Sequence, residues 1–178
     1  MSFETQSGGV ALELPLIAAA FVFLVFSRYR LRPVLDGEGG REARAALKAA
    51  VKRIDDAKTD DERVEALCAA ADASAKLVSG GGRAVQFYLR AMKLAPKSAD
   101  VVERAARGML KRPRGLENLL WRRIGTDAWK AEEAPVIAAA LAHLATLYAG
   151  PLTSSVRARA FSNMLAAIND RAVQIKKG

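Results

Sequence analysis

The sequence is poor in the residues from which reactive sites are made. Its 178 residues include one cysteine, Cys68, and one histidine, His143. A single thiol excludes an internal disulfide framework and suits a reducing compartment. One Cys and one His give little material for a zinc site or a Cys–His dyad, and nothing has ligand spacing. Cys68 lies in an alanine-rich stretch, as expected of a buried structural thiol. His143 lies in an apolar stretch, as expected of a packed residue hydrogen-bonded within the core. No alternating apolar–polar pattern of useful length is present, which argues against strands. Nor is there any Lys or Arg before Arg28, or a small-residue cleavage pattern after the first apolar block, so a cleaved signal peptide fits poorly.

That block, Val10 to Phe26, is interrupted only by Glu13 and Pro15 near its start. A spanning helix needs about 20 apolar residues, with a lower limit near 17. Proline is tolerated in a first helical turn, and a carboxylate at that edge sits at headgroup depth. The flank Arg28, Tyr29, Arg30 and Arg32 suits the membrane interface, where arginines snorkel and meet anionic headgroups. With all the nearby positive charge on the C-terminal side, the positive-inside rule directs the bulk of the chain into the cytoplasm. The expected organisation is a short extracytoplasmic tail over 1–9, a transmembrane helix with its basic flank over 10–32, a Gly-rich linker over 33–40 and a helical domain over 41–178. The expected location is the cell membrane, crossed once.

Lys and Arg number 28 against 19 Asp and Glu, a net charge of +9. Such an excess invites a nucleic-acid reading. Against it, cations and acids interleave, as in Arg53-Ile54-Asp55-Asp56 and Asp60-Asp61-Glu62-Arg63, and no basic–aromatic platform appears. Solvated helix faces beside an anionic membrane account for the charge.

Past the linker, Ala43, Leu47, Ala50 and Ile54 recur at helical spacing. Thr59 and Glu62 have the spacing of a capping box and open a second helix with Val64, Leu67, Cys68, Ala71 and Val78. Ser79-Gly80-Gly81-Gly82 stops it; Arg83-Ala84-Val85 follows in place of a phosphate-loop Gly-Lys-Ser/Thr, so a helical corner is indicated. Further helices are expected over Arg83–Leu94, Ala99–Leu110 (with Ser98 as cap), Leu116–Ile124 and Pro135–Ala149. A last helix, capped by Thr153 or Ser154, carries Phe161, Leu165, Ile168, Ala172 and Ile175 in one stripe. Pro135–Ala149, apolar nearly all round, is expected at the centre of the domain. Trp121 and Trp129 read as packing residues, and the acids Asp55, Asp56, Asp60, Asp61 and Glu62 as capping and solvation. The fold class is all-α, an antiparallel array of about seven helices.

Ala84-x3-Tyr88-x2-Ala91-x4-Pro96 resembles the second helix and closing turn of a tetratricopeptide repeat (TPR). Val102, Ala105, Ala106 and Met109 resemble the first helix of the next unit. The likeness covers residues 84–109. The preceding helix departs from the pattern by placing Asp72 where a small residue is expected, and a second clear copy of about 34 residues is absent. The resemblance implies a protein-binding scaffold and transfers no specific binding residue. A groove between helices, with Arg83, Arg90, Lys93 and Arg104 favouring an acidic partner protein, is the expected site. No catalytic constellation, metal site or cofactor site is expected, so the chain reads as no enzyme. Alternatives are an accessory subunit of a membrane complex, held through a transmembrane helix whose Ala18-Ala19-Ala20 permits close packing, and, more remotely, nucleic-acid binding.

Overall fold

A computed structural model describes residues 37–125 and 129–177, with side chains over 39–125 and 129–170. The expected tail, transmembrane helix and basic flank lie outside these residues. Among the described residues no helix is long and apolar enough to cross a membrane.

Among the described residues there are seven α-helices and no strands: α1 (Gly37–Asp56), α2 (Asp60–Lys76), α3 (Gly81–Leu94), α4 (Ala99–Gly108), α5 (Pro113–Gly125), α6 (Ala134–Ala149) and α7 (Ser155–Lys177). A 3-10 turn, Ala131–Glu133, leads into α6. Pairs α2–α3 and α6–α7 pack along their lengths. Alternate helices also meet: α2 touches α4, α4 touches α6, and α3 touches α5. The array therefore has two layers, α2–α4–α6 and α3–α5, as in helical repeat folds.

The apolar periodicity accounts for the core. Ala43, Leu47, Ala50 and Ile54 of α1 are all buried, as are Val102, Ala105, Ala106 and Met109 around α4. Helix α6 is central, touching α4, α5 and α7. Its Val136, Ile137, Ala140, Leu141 and Leu144 are at most 1% exposed, and each larger one contributes roughly 1.5–3 kcal/mol. Phe161 of α7 is buried, while Leu165 and Ile168 are half-buried against the core. Ala172 and Ile175 lie beyond the described side chains.

Several boundaries differ from expectation. Helix α1 starts at Gly37, so residues 37–40 of the expected linker form its first turn. First-turn N–H groups need no intrahelical partner, and the Arg-Glu-Ala-rich run behind them propagates the helix. Helix α2 ends at Lys76, which leaves Val78 outside it and 57% exposed. Helix α5 begins at Pro113 rather than Leu116, because proline suits a first helical position. The capping box forms as expected: Glu62 N donates to Thr59 Oγ1 at 3.2 Å and Thr59 N to Glu62 Oε2 at 3.3 Å. Ser98 occupies the N-cap of α4 without a side-chain hydrogen bond. A Cβ at Gly80 would overlap the Ser74 carbonyl, so the Gly-rich corner serves close approach of α3 to the end of α2.

Candidate interaction surface

Two polar networks tie the layers together. In the first, Tyr88 of α3 is fully buried and its hydroxyl donates to Asp72 Oδ1 of α2. Arg104 of α4 donates from Nε to Asp72 Oδ2 at 2.9 Å and from Nη1 to Glu65 Oε2 at 2.6 Å. Gly108 closes the network, since any Cβ there would overlap the Tyr88 hydroxyl and the Asp72 carboxylate. Burial and the bond to Asp72 push the Tyr88 pKa far above the ordinary phenol range, and the bond to Glu65 holds Arg104 charged. A phenol so held is a structural donor, not a base. Nearby Cys68 is buried and its thiol is pushed up to about 11 by burial, which suppresses the reactive thiolate.

In the second network the Tyr148 hydroxyl of α6 donates to Glu117 of α5 and accepts from Arg157 Nη1 of α7 at 3.1 Å. Phe161 stacks on Tyr148 and meets Trp121 edge-on, with centroids 5.6 and 5.4 Å apart. Trp121 is thus the satellite packing residue expected, though 45% exposed; Trp129 is 40% exposed. His143 is half-buried rather than in the core: its Nε2 lies 3.1 Å from Glu103 Oε2 without hydrogen-bond alignment. No group of three or more potential metal ligands exists among the described residues.

The four cations expected to meet a partner are not brought together. Arg83, Arg90 and Lys93 are exposed on the outer side of α3, with Gln86 between them, inside an arc of about 80° at helical spacing. None of the three pairs with a described carboxylate, and residues 81–99 contain no acid. Arg104 lies in the other layer, committed to Asp72 and Glu65. A cleft of about 590 Å³ lies at the helix ends between Gly81-Gly82, Arg112–Gly115 and Pro151–Thr153.

That cleft marks an edge where the α2–α3, α4–α5 and α6–α7 turns converge. Arg112 ties the α4–α5 turn to the end of α2 by donating to the carbonyls of Ala75 at 2.9 Å, Leu77, and Val78 at 3.2 Å. Residues 76–83, 107–115 and 150–159 contain no Asp or Glu, yet Lys76, Arg83, Arg107, Lys111, Arg114 and Arg159 are exposed there. Helix macrodipoles explain Lys76 and Arg107, which stand at helix C-termini. They do not explain Arg83, Arg114 and Arg157, which stand in first turns devoid of acid, where each positive charge is unfavourable by roughly 0.3–1 kcal/mol.

The opposite edge holds the acids. Asp55, Asp56, Asp60, Asp61 and Glu62 flank the α1–α2 turn, and Asp100 opens α4. Lys97 pairs with Glu132, and Arg123 pairs with Glu133 while donating to the Pro96 carbonyl at 3.0 Å. Hydrogen bonds from Lys97 and Arg123 hold the Glu132 and Glu133 carboxyls below the usual range.

Sequence reasoning missed Asp72 as a structural residue and the two edges. A lone carboxylate within an otherwise apolar helical face was the available signal for the first. The chain matches no family model, no characterised protein and no solved structure.

Proposed function

We propose that this chain is a membrane-tethered scaffold whose TPR-like array recruits an acidic protein through the outer face of α3. The observation that carries this is the exposed row Arg83, Arg90 and Lys93, unpaired and without an acid over residues 81–99. A helix interior that satisfies its own packing while its outer face keeps three unneutralised cations is fitted to an external carboxylate-rich surface. The small Ala84, Ala91 and Ala105, all fully buried beside Tyr88, support the TPR-like packing that builds the frame. Val10–Phe26, with Arg28, Tyr29, Arg30 and Arg32, supports attachment to the cell membrane with the array on the cytoplasmic side. The mechanism is confinement: tethering raises the effective concentration of a bound partner beside the bilayer. In this reading the chain is no enzyme and carries no cofactor.

The test compares affinity capture by the full chain and by Arg90→Glu/Lys93→Glu, with the recovered proteins quantified. A partner held by the natural chain and lost from the variant is expected, with an affinity that falls as salt rises. Equal recovery from both chains overturns the reading.

A further inference from the structure

We propose that the edge formed by the α2–α3, α4–α5 and α6–α7 turns docks on an anionic lipid surface. Three independent features converge there. The first is charge: the edge holds exposed cations, Lys111 and Arg114 foremost, and not one carboxylate across its three turns. The second is protruding aliphatic side chains, with Leu110 76% exposed, Val156 79% and Val78 57%, each in or beside a turn. The third is rigidity, since Arg112 locks the α4–α5 turn to the end of α2 and the turns stand together around one cleft.

Aliphatic side chains on projecting turns enter the boundary between headgroups and acyl chains, while neighbouring Lys and Arg meet lipid phosphates. The same residues suit other partners less well. A nucleic acid uses aromatic stacking and hydrogen-bonding platforms, and residues 76–83, 107–115 and 150–159 contain no aromatic side chain. An acidic protein would neutralise the cations but would have to recess Leu110, which projects rather than lining a pocket. An anionic layer also answers the uncompensated N-termini of α3, α5 and α7 together. Arg83 stands where the two faces meet, but Arg90 and Lys93 lie further along α3 and belong to the protein-binding face alone.

The experiment uses the full chain carrying Leu110→Cys labelled with an environment-sensitive fluorophore. Cys68, buried with a protonated thiol, does not compete for the label. Vesicles of phosphatidylcholine alone are compared with vesicles that also contain phosphatidylglycerol. A blue shift and gain in intensity are expected with the anionic vesicles only, reversed by salt and abolished by adding Lys111→Glu and Arg114→Glu. The same label at Asp61→Cys on the opposite edge is expected to stay unchanged. These substitutions are at exposed positions, and circular dichroism checks that each chain folds; the salt reversal tests the charge term without them. Identical spectra with both vesicles, or an equal shift at Asp61→Cys, overturn the proposal. So does DNA or RNA binding that the charge reversals remove while the lipid response is absent. Arg90→Glu/Lys93→Glu is expected to leave the lipid response intact, so this proposal and the protein-binding reading fail separately.

Discussion

At the edge made by the α3–α4 turn and the α5–α6 connector, cations meet carboxylates: Lys97 with Glu132, Arg123 with Glu133. At the opposite edge the three turns carry cations and no carboxylate; Arg112 donates to backbone carbonyls and Arg157 to the Tyr148 hydroxyl. Both edges close the same layers, so the difference is not demanded by packing. One edge pairs charges internally, with Arg123 and Glu133 14% and 16% exposed at the side chains, while Asp55, Asp56, Asp61 and Asp100 stay exposed. The other keeps its charge facing outward. Charges spent in internal pairs hold the fold, whereas the unfavourable ones at helix N-termini are the ground on which we propose a contact outside the chain.

The comparison can be broken most forcefully beside the outward edge, at Gly108. Gly108→Val would drive a side chain into the Tyr88 hydroxyl and the Asp72 carboxylate and is expected to cost about 3 kcal/mol, as overpacking of a closed site does. Urea denaturation measures it; a loss under about 1 kcal/mol would mean that α4 shifts freely and the network is not a fixed tie.

Next in size is the contrast between Arg112→Ala and Arg123→Ala. Arg112 is half-buried, and its loss is expected to cost about 1–2 kcal/mol with faster amide exchange confined to the corner at 77–82. The two variants should differ in pH dependence. Arg123 holds the Glu133 carboxyl below its ordinary value near 4.5. That stabilisation is therefore complete above this value and is lost as pH falls through the lower folded-state pKa. The gap in melting temperature between natural chain and Arg123→Ala should shrink on acidification. The gap for Arg112→Ala should hold steady, because carbonyl oxygens do not titrate. Parallel pH profiles for the two variants would erase the distinction between the edges.

The smallest effect is a gain. Thr153 has φ of 44°, a left-handed backbone that a β-branched residue adopts at a cost. The loop is over-determined by Thr153 N to Gly150 O at 3.1 Å and Ser154 N to Tyr148 O at 2.8 Å. Thr153→Gly should raise stability by about 1 kcal/mol in thermal melts and leave the Arg123 edge untouched. A loss of stability would show that the threonine side chain contributes more than its strain.

The helices could be read from the chain because their signals are local. The α1 stripe, the Thr59–Glu62 box and the apolar α6 depend on neighbours within a few residues, where spacing alone sets the face. The boundaries at Gly37, Lys76 and Pro113 were less legible, because helix ends follow small energy differences and permissive first turns. Arg104 shows the limit for site residues. Like Arg90 it precedes a buried alanine, yet its partners Glu65 and Asp72 are 39 and 32 residues away, a pairing that no local pattern contains. Asp72 looked like a fault in a repeat and is instead the centre of a network, made tolerable by a glycine 36 positions later.

By itself, then, the sequence determined the all-α class, an array of about seven helices over the described residues and most of the faces they bury, because helical periodicity and capping act over one or two turns. It also determined the unreactive character of Cys68, since the thiol sits on a buried alanine-rich face. Tertiary structure alone decided which charges are spent and which remain. The alternation of helix direction carries the acid-free turns at 77–80, 109–112 and 150–154 to one edge and the acids of the intervening turns to the other. Residues separated along the chain become one surface only when the layers stack.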